Sequence, residues 1–188
     1  MPVTQNHQRL IKAATKLFHT RGYAASSLKH LAATSDVPLG NIYYYFKTKD
    51  ALADAVAEGH HEVFCSLFAE LEARHADPGQ RLLAFLEYPR AQRHVFTQRG
   101  CPVGALALEL KKAGTDSYQS VRAIFRLQLD WFTAQFALVG RKDAATLAEH
   151  LVAALQGAIL LSHTFNDHAI LTRQLTSLRA WLQPLVTS

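Results

Sequence analysis

Residues 41–52 read Asn-Ile-Tyr-Tyr-Tyr-Phe-Lys-Thr-Lys-Asp-Ala-Leu, three consecutive phenols followed by two lysines two positions apart. Three successive aromatic hydroxyls cannot all face a core in any regular structure, so some must meet solvent or a partner. On a helix, at roughly 100° per residue, Ile42 and Phe46 share one side. Gly40, Tyr44 and Lys47 then point to the opposite side, with Asn41 and Tyr43 on the flanks. Tyr45 lies nearer the apolar side, a packing residue with its hydroxyl at the rim. The outward face offers hydroxyls, a carboxamide, an ammonium and a glycine that admits close approach of backbone. Those groups suit phosphates and base edges in a major groove. The alternative is an aromatic helix face used for protein contact.

The formal net charge is +5, and its location matters more than its size. Residues 1–50 hold seven basic side chains (Arg9, Lys12, Lys16, Arg21, Lys29, Lys47, Lys49) against two acids (Asp36, Asp50), a surplus of five. Residues 51–188 hold 13 of each and cancel. The whole excess sits in the first quarter: either a solvated basic face or a polyanion-binding head on a neutral body.

Other chemistries find little support. His60-His61-Glu62 suggests a metal site, but adjacent helical residues diverge and no second ligand pair stands one turn away, so no metal and no cofactor is expected. Phosphate-loop glycines, a nucleophile elbow and paired carboxylates are absent from the sequence, which gives no catalytic set. Cys65 and Cys101, far apart, form neither a disulfide framework nor a zinc cluster. Cys65 reads as core. Cys101, between Arg99 and a helix starting at Pro102, has surroundings that favour thiolate, although a buried, inert cysteine is the alternative. No apolar run approaches the roughly 18–20 uncharged residues of a membrane span, and Met1–Leu10 lacks a signal's apolar region. A reducing, cytoplasmic location without a membrane partner is the default expectation.

The elements that position these groups follow from apolar spacing. Leu10, Ala13, Ala14, Leu17 and Phe18 make one stripe of a first helix, capped by Thr4 and stopped at Gly22. Ser27 caps a second, Leu28 to about Thr34. A tight turn, Ser35-Asp36-Val37, leads to a third, from Pro38 or Leu39 to Phe46. Two short helices joined by so short a turn form a helix-turn-helix unit.

Gly22 to Leu52 resembles the DNA-binding domain of TetR-family transcriptional regulators. The first helix ends in Gly-aromatic and small hydroxyl residues cap the second. Val37, Gly40, Ile42, Tyr43, Tyr45, Phe46, Lys49 and Leu52 fit the recognition segment V-x-x-G-x-[IL]-Y-x-[HY]-F-x-x-K-x-x-L. The resemblance implies that Ser27, Tyr43 and Lys49 hold the phosphate backbone, with Tyr45 often meeting phosphate. It implies that Lys29, Leu39, Asn41 and Tyr44 can reach base edges. Leu39 departs from the polar or basic residue common there and could contact only a thymine methyl.

The remainder reads as helix throughout. Thr48 caps a helix from Lys49 to about His75. A fifth runs from Asp77-Pro78-Gly79 to about Arg99, kinked at Pro89. Others span about Pro102–Ala113, Asp116–Val139, Asp143–Asn166 and Ala169–Val186. Nine helices in this order are what the resemblance implies. The expectation is an all-α chain: residues 1–48 a helix-turn-helix domain, 49–188 a helical effector-binding and dimerisation domain.

In the last helix Leu171, Leu175, Leu178, Leu182 and Leu185 step by four and three, a coiled-coil-like seam. The helix before it, with Leu151, Leu155 and Ala158, is apolar nearly all round. A single chain's core could absorb one such helix. A two-fold four-helix interface in a homodimer is the other reading, which the resemblance also implies. Aromatic and polar residues interleave in the fifth to eighth helices. Phe85, Tyr88, Phe96, Cys101, Phe125, Gln128, Trp131, Phe132 and His163 are expected to line a pocket for a small apolar, aromatic or electrophilic effector, although such stripes also make ordinary core. Together these readings give a homodimeric repressor released from double-stranded operator DNA by a small-molecule effector. The competing class is an all-α small-molecule-binding protein or enzyme with an incidental basic N-terminus.

Overall fold

The structure, a computed structural model, describes residues 3–186, with side chains from residue 5. Among the described residues it holds helices and no strand: α1 Val3–Arg21, α2 Leu28–Ser35, α3 Leu39–Tyr45, α4 Lys49–Arg74, α5 Pro78–Phe85, α6 Glu87–Ala91, α7 Arg93–Arg99, α8 Pro102–Ala113, α9 Tyr118–Leu138, α10 Ala144–Thr164 and α11 His168–Val186. Taking α5–α7 as pieces of one interrupted helix recovers the expected nine.

The boundaries have local causes. Ser27 Oγ accepts the His30 amide at 3.2 Å, and Thr48 Oγ1 accepts that of Ala51 at 3.0 Å, so both predicted caps are in place. Asp77 accepts the Gly79 and Gln80 amides ahead of Pro78. Pro89 has no N–H to return to the Phe85 carbonyl, and the helix breaks into α5, α6 and α7 around it. The expected start of α1 needs correction. Its first residue is Val3, so Thr4 stands inside the helix rather than before it, and its side chain lies outside the described residues.

Contacts divide the chain into two compact units, Met1–Glu62 with Pro102–Ile124 and Val63–Cys101 with Phe125–Ser188. In the first, α1 packs on α2 and α8, and α2 on α3. Leu10, Ala14, Leu17, Leu31, Ile42 and Phe46 are all buried there, the small core that the apolar spacing predicts. In the second, α10 pairs with α11, and α11 also packs on α5, α6 and α7. Arg81 ties this unit together. Its Nε donates to the His75 carbonyl at 2.7 Å, and its Nη1 to Gln135 Oε1 at 3.1 Å.

Three expectations change. The leucine seam is interior to the chain: Leu151, Leu155, Ala158, Leu171, Leu175, Leu178 and Leu182 are all buried. A side chain already covered by its own chain has no apolar area left for a partner, so these residues are core and not a dimer face. Cys65 is exposed on α4, not core. Finally, α10 is, by length and composition alone, long and apolar enough to cross a membrane. Its apolar side is nevertheless occupied, with Leu151, Val152, Leu155, Ala158 and Ile159 buried within the second unit.

Candidate nucleic-acid interface

The site begins with α3. Ile42 and Phe46 are buried, while Tyr44 is 68% exposed and Tyr43 45%. Gly40 and Asn41 are exposed on α3 as well, whereas Lys47, also exposed, follows the helix end at Tyr45 instead of lying on it, because the chain is already extended at Phe46. Tyr45 is half-buried and packs edge-on to Tyr44 at 5.1 Å, its ring 5.9 Å from that of His7. His7 stacks on Phe46 at 5.1 Å, which locks the inner side of α3 against α1.

Beside this face lies an open hollow of about 400 Å³ lined by Ser26, Ser27, Leu28, Lys29, Tyr43, Lys47, Thr48 and Lys49. It is basic and rich in hydroxyls. Lys29 and Lys47 are exposed, and Lys49 is half-buried. Ser27 and Thr48 serve as caps by accepting backbone N–H groups, which uses oxygen lone pairs and leaves the hydroxyl protons to be donated. A concave surface with three ammonium groups and several O–H donors fits a phosphodiester.

Sequence reasoning placed Ser27, Lys29, Tyr43, Lys47 and Lys49 here but treated Thr48 only as a cap and passed over Ser26. Leu39 is half-buried at the start of α3. Lys49 is more constrained than a surface lysine. Its Nζ donates to the Tyr23 carbonyl at 3.0 Å and sits 4.0 Å from the Tyr23 ring centroid. The Tyr23 hydroxyl in turn donates to the Asp50 carboxylate. Burial, then that carboxylate, raises the Tyr23 phenol well above its usual range, and the Tyr23 and Thr115 hydroxyls hold the Asp50 carboxyl below its own.

The connection between α1 and α2 is fixed from α8. Gly22 adopts φ +80°, and a Cβ there would stand 2.8 Å from Glu109 Oε1. Glu109 Oε2 accepts the Ala24 amide at 2.7 Å. The positive φ favours glycine, and a Cβ would in addition push the Glu109 carboxylate away from its place beside the Ala24 amide.

The expected effector pocket is only partly assembled. Phe85, Tyr88, Trp131 and Phe132 meet in one aromatic cluster, and Phe64 and Phe68 of α4 complete it. Phe68 stacks on Trp131 at 4.3 Å, Phe85 meets Phe132 edge-on at 4.7 Å, and Phe64 lies 5.7 Å from Tyr88. Trp131 Nε1 donates to Glu72 Oε1 at 2.8 Å, so the indole has its polar partner at the rim. Phe96 is buried on α7, Gln128 buried on α9, and Phe125 and Cys101 are half-buried. His163 is exposed, its Nδ1 2.9 Å from the Thr97 carbonyl. Burial first, then Cys101, raises the Tyr88 phenol. The i, i+4 spacing of Phe64 and Phe68 was the available signal for the α4 contribution.

Comparison with known proteins bears on the family and the fold. Residues 10–56 match the family described as "Bacterial regulatory proteins, tetR family". Residues 78–175 match "Transcriptional regulator LmrA/YxaF-like, C-terminal domain". The HTH-type transcriptional regulator LmrA of Bacillus subtilis (strain 168) is 27% identical over 176 residues, covering 89% of this chain and 91% of that protein. The HTH-type transcriptional repressor DhaR of Mycobacterium sp. (strain GP1) is 29% identical over 168 residues, 85% of this chain and 83% of its own. A TetR-family regulator from Agrobacterium tumefaciens superposes with a TM-score of 0.85 at 22% identity, covering 96% of this chain and 98% of that one. With an exposed α3 face beside a basic hollow and a C-terminal half that matches over most of its length, the chain belongs to the TetR family of helix-turn-helix transcriptional regulators.

Proposed function

We propose that the protein is a homodimeric repressor that reads operator DNA with α3, grips phosphates in the hollow beside it, and lets go when a small molecule binds the helical body. The observation that carries this reading is the hollow itself. Three lysines and capping hydroxyls converge next to exposed Gly40, Asn41 and Tyr44. Ser27, Lys29, Tyr43, Lys47, Thr48 and Lys49 hold the backbone, and Asn41 and Tyr44 reach base edges. Such a protein works in the cytoplasm and acts by binding rather than by catalysis. Retention on a duplex column should fall steeply between about 50 and 200 mM salt, because each phosphate contact releases counterions. Weak, salt-insensitive retention overturns the reading in favour of an all-α small-molecule-binding protein or enzyme.

The homodimer needs a face other than the buried seam. The outer side of α10 supplies one: Leu160 is 62% exposed, Leu161 45%, and Phe165 just beyond the helix 67%. Gly157 is half-buried and Ala153 exposed, one and two turns earlier, small enough for a second helix to approach closely. A second copy of this chain is the occupant, which sets two recognition helices at the fixed separation that operator half-sites require.

The effector reading rests on the aromatic cluster. An apolar or aromatic ligand would part Phe64, Phe68, Trp131 and Phe132. The first two belong to α4, whose 26 residues begin at Lys49, about 39 Å of continuous helix. A ligand that prefers the DNA-free conformation a hundredfold supplies about 2.7 kcal/mol of coupling, and operator DNA must weaken ligand binding by the same factor. Titrating aromatic compounds against the protein–operator complex tests it, and binders that all leave operator affinity unchanged would refute it.

A further inference from the structure

We infer that Thr115, in the connection between α8 and α9, is a positioning residue for DNA binding: through the Asp50 carboxylate and Tyr23 it keeps the Lys49 ammonium at the basic hollow. This rests on the reading of that hollow as a phosphate site. Thr115 Oγ1 donates to Asp50 Oδ2 at 2.9 Å, and the other oxygen, Oδ1, accepts the Tyr23 hydroxyl. Tyr23 carries Lys49, with its carbonyl accepting from Nζ at 3.0 Å and its ring 4.0 Å away. Thr115 is itself held: its Oγ1 accepts the Ser117 amide at 3.3 Å, and Ser117 Oγ donates to the Asp50 carbonyl at 3.2 Å.

The chemistry turns on where the carboxylate spends its lone pairs. Lys49 and Asp50 are neighbours in sequence at the start of α4, and a carboxylate free to turn there would draw the adjacent ammonium closer. Two hydroxyl donors, one on each oxygen, take two of the carboxylate's roughly four lone-pair sites and fix its direction, while Lys49 stands on Tyr23. Once placed, Nζ has spent one of its three N–H donors on the Tyr23 carbonyl, and the other two remain for a phosphodiester. A lysine fixed before DNA arrives loses less rotamer freedom on binding than one recruited from solvent. Removal of the Thr115 hydroxyl frees Oδ2 and lets Asp50 draw Lys49 away from the hollow. Glu109, holding the Ala24 amide, fixes the same connection one residue beyond Tyr23, so the lysine's support has two anchors from the α8–α9 segment.

The test uses Thr115→Val, which keeps the shape and removes the hydroxyl, with Thr115→Ser as the conservative rescue. Affinity of the full chain for a fluorescent duplex of mixed sequence is measured between about 50 and 200 mM salt. Thr115→Val should weaken binding about five- to tenfold and lower the salt slope by about one, the mark of one lost phosphate contact. Thr115→Ser should restore both. Lys49→Ala should show the same loss, and Thr115→Val placed on top of it should add little, since both remove one contact. Wild-type affinity and slope in Thr115→Val, or a loss that adds in full to that of Lys49→Ala, overturns the inference. If Thr115→Val fails to fold, Tyr23→Phe, which cuts the relay one bond further on and keeps ring and carbonyl, carries the same comparison. A wild-type protein that binds the duplex without salt dependence removes the phosphate-site reading first, an outcome distinct from the others.

Discussion

Lys49 and Tyr23 form a fixed pair: the ammonium sits 4.0 Å from the phenol ring centroid and donates to the same residue's carbonyl at 3.0 Å. A lysine so held is already aimed before its ligand arrives, unlike Lys29 and Lys47, which are exposed. The hollow therefore combines one anchored cation with two exposed ones.

Recognition and grip should separate by mutation. Tyr44→Ala and Asn41→Ala are expected to relax base preference by about 1–3 kcal/mol at the affected position while leaving stability within about 0.5 kcal/mol. Lys47→Ala should weaken binding to all sequences alike. Selection from a random duplex pool with each variant measures both. Unchanged preference in Tyr44→Ala would mean that α3 does not face the bases.

Leu160→Glu and Leu175→Ala should fail in opposite ways. The first charges an exposed position on α10 and should yield folded monomer by sedimentation. The second opens a cavity at a fully buried site and should cost about 2–5 kcal/mol of stability. A Leu160→Glu protein that stays dimeric would move the interface off this face.

Acid should loosen the first unit through His60. Burial, and then His19, hold its imidazole below the usual histidine range, so the folded state prefers it neutral. As pH falls below about 6.5 the unfolded chain takes up the proton first, and stability declines until the folded pKa is passed. The melting temperature should therefore drop more between about pH 7.5 and 5.5 in the wild type than in His60→Gln, which lacks the titrating group. Equal drops would assign the effect elsewhere.

Gly22→Ala should destabilise by more than about 1 kcal/mol, through both the positive φ and the approach to Glu109. In a Glu109→Ala background, which already lacks the bond to the Ala24 amide, Gly22→Ala should lower the melting temperature by less than it does in the wild type, since only the backbone part remains. No drop in that background would mean that the backbone there is unstrained.

The fold was legible where local signals are strong. The caps at Ser27 and Thr48, the stop at Gly22 and the inward pair Ile42 and Phe46 all depend on short-range chemistry, and the structure has each of them. The seam of Leu171, Leu175, Leu178 and Leu182 was legible as apolar but not as to what covers it. Periodicity gives a face, not a partner, and α11 spends this one on its own chain. The relay from Thr115 to Lys49 spans 65 residues between Thr115 and Asp50 alone, and no spacing rule encodes a pairing at that range. The i, i+4 spacing of Phe64 and Phe68 puts the two rings on one side of α4, but that helix has no single apolar side, so the spacing alone does not say which partners they meet.

The hollow's double use of its residues has an evolutionary consequence. Ser27 and Thr48 cap helices with oxygens that also border the hollow, and Lys49 is bonded to Tyr23. On the proposed reading of the hollow, mutations at these positions are penalised twice, once in folding and once in binding. Asn41 and Tyr44, exposed on α3, carry no such second burden. Duplicated copies of this gene could thus retarget to new operators by changing a few surface side chains, inheriting an unaltered clamp.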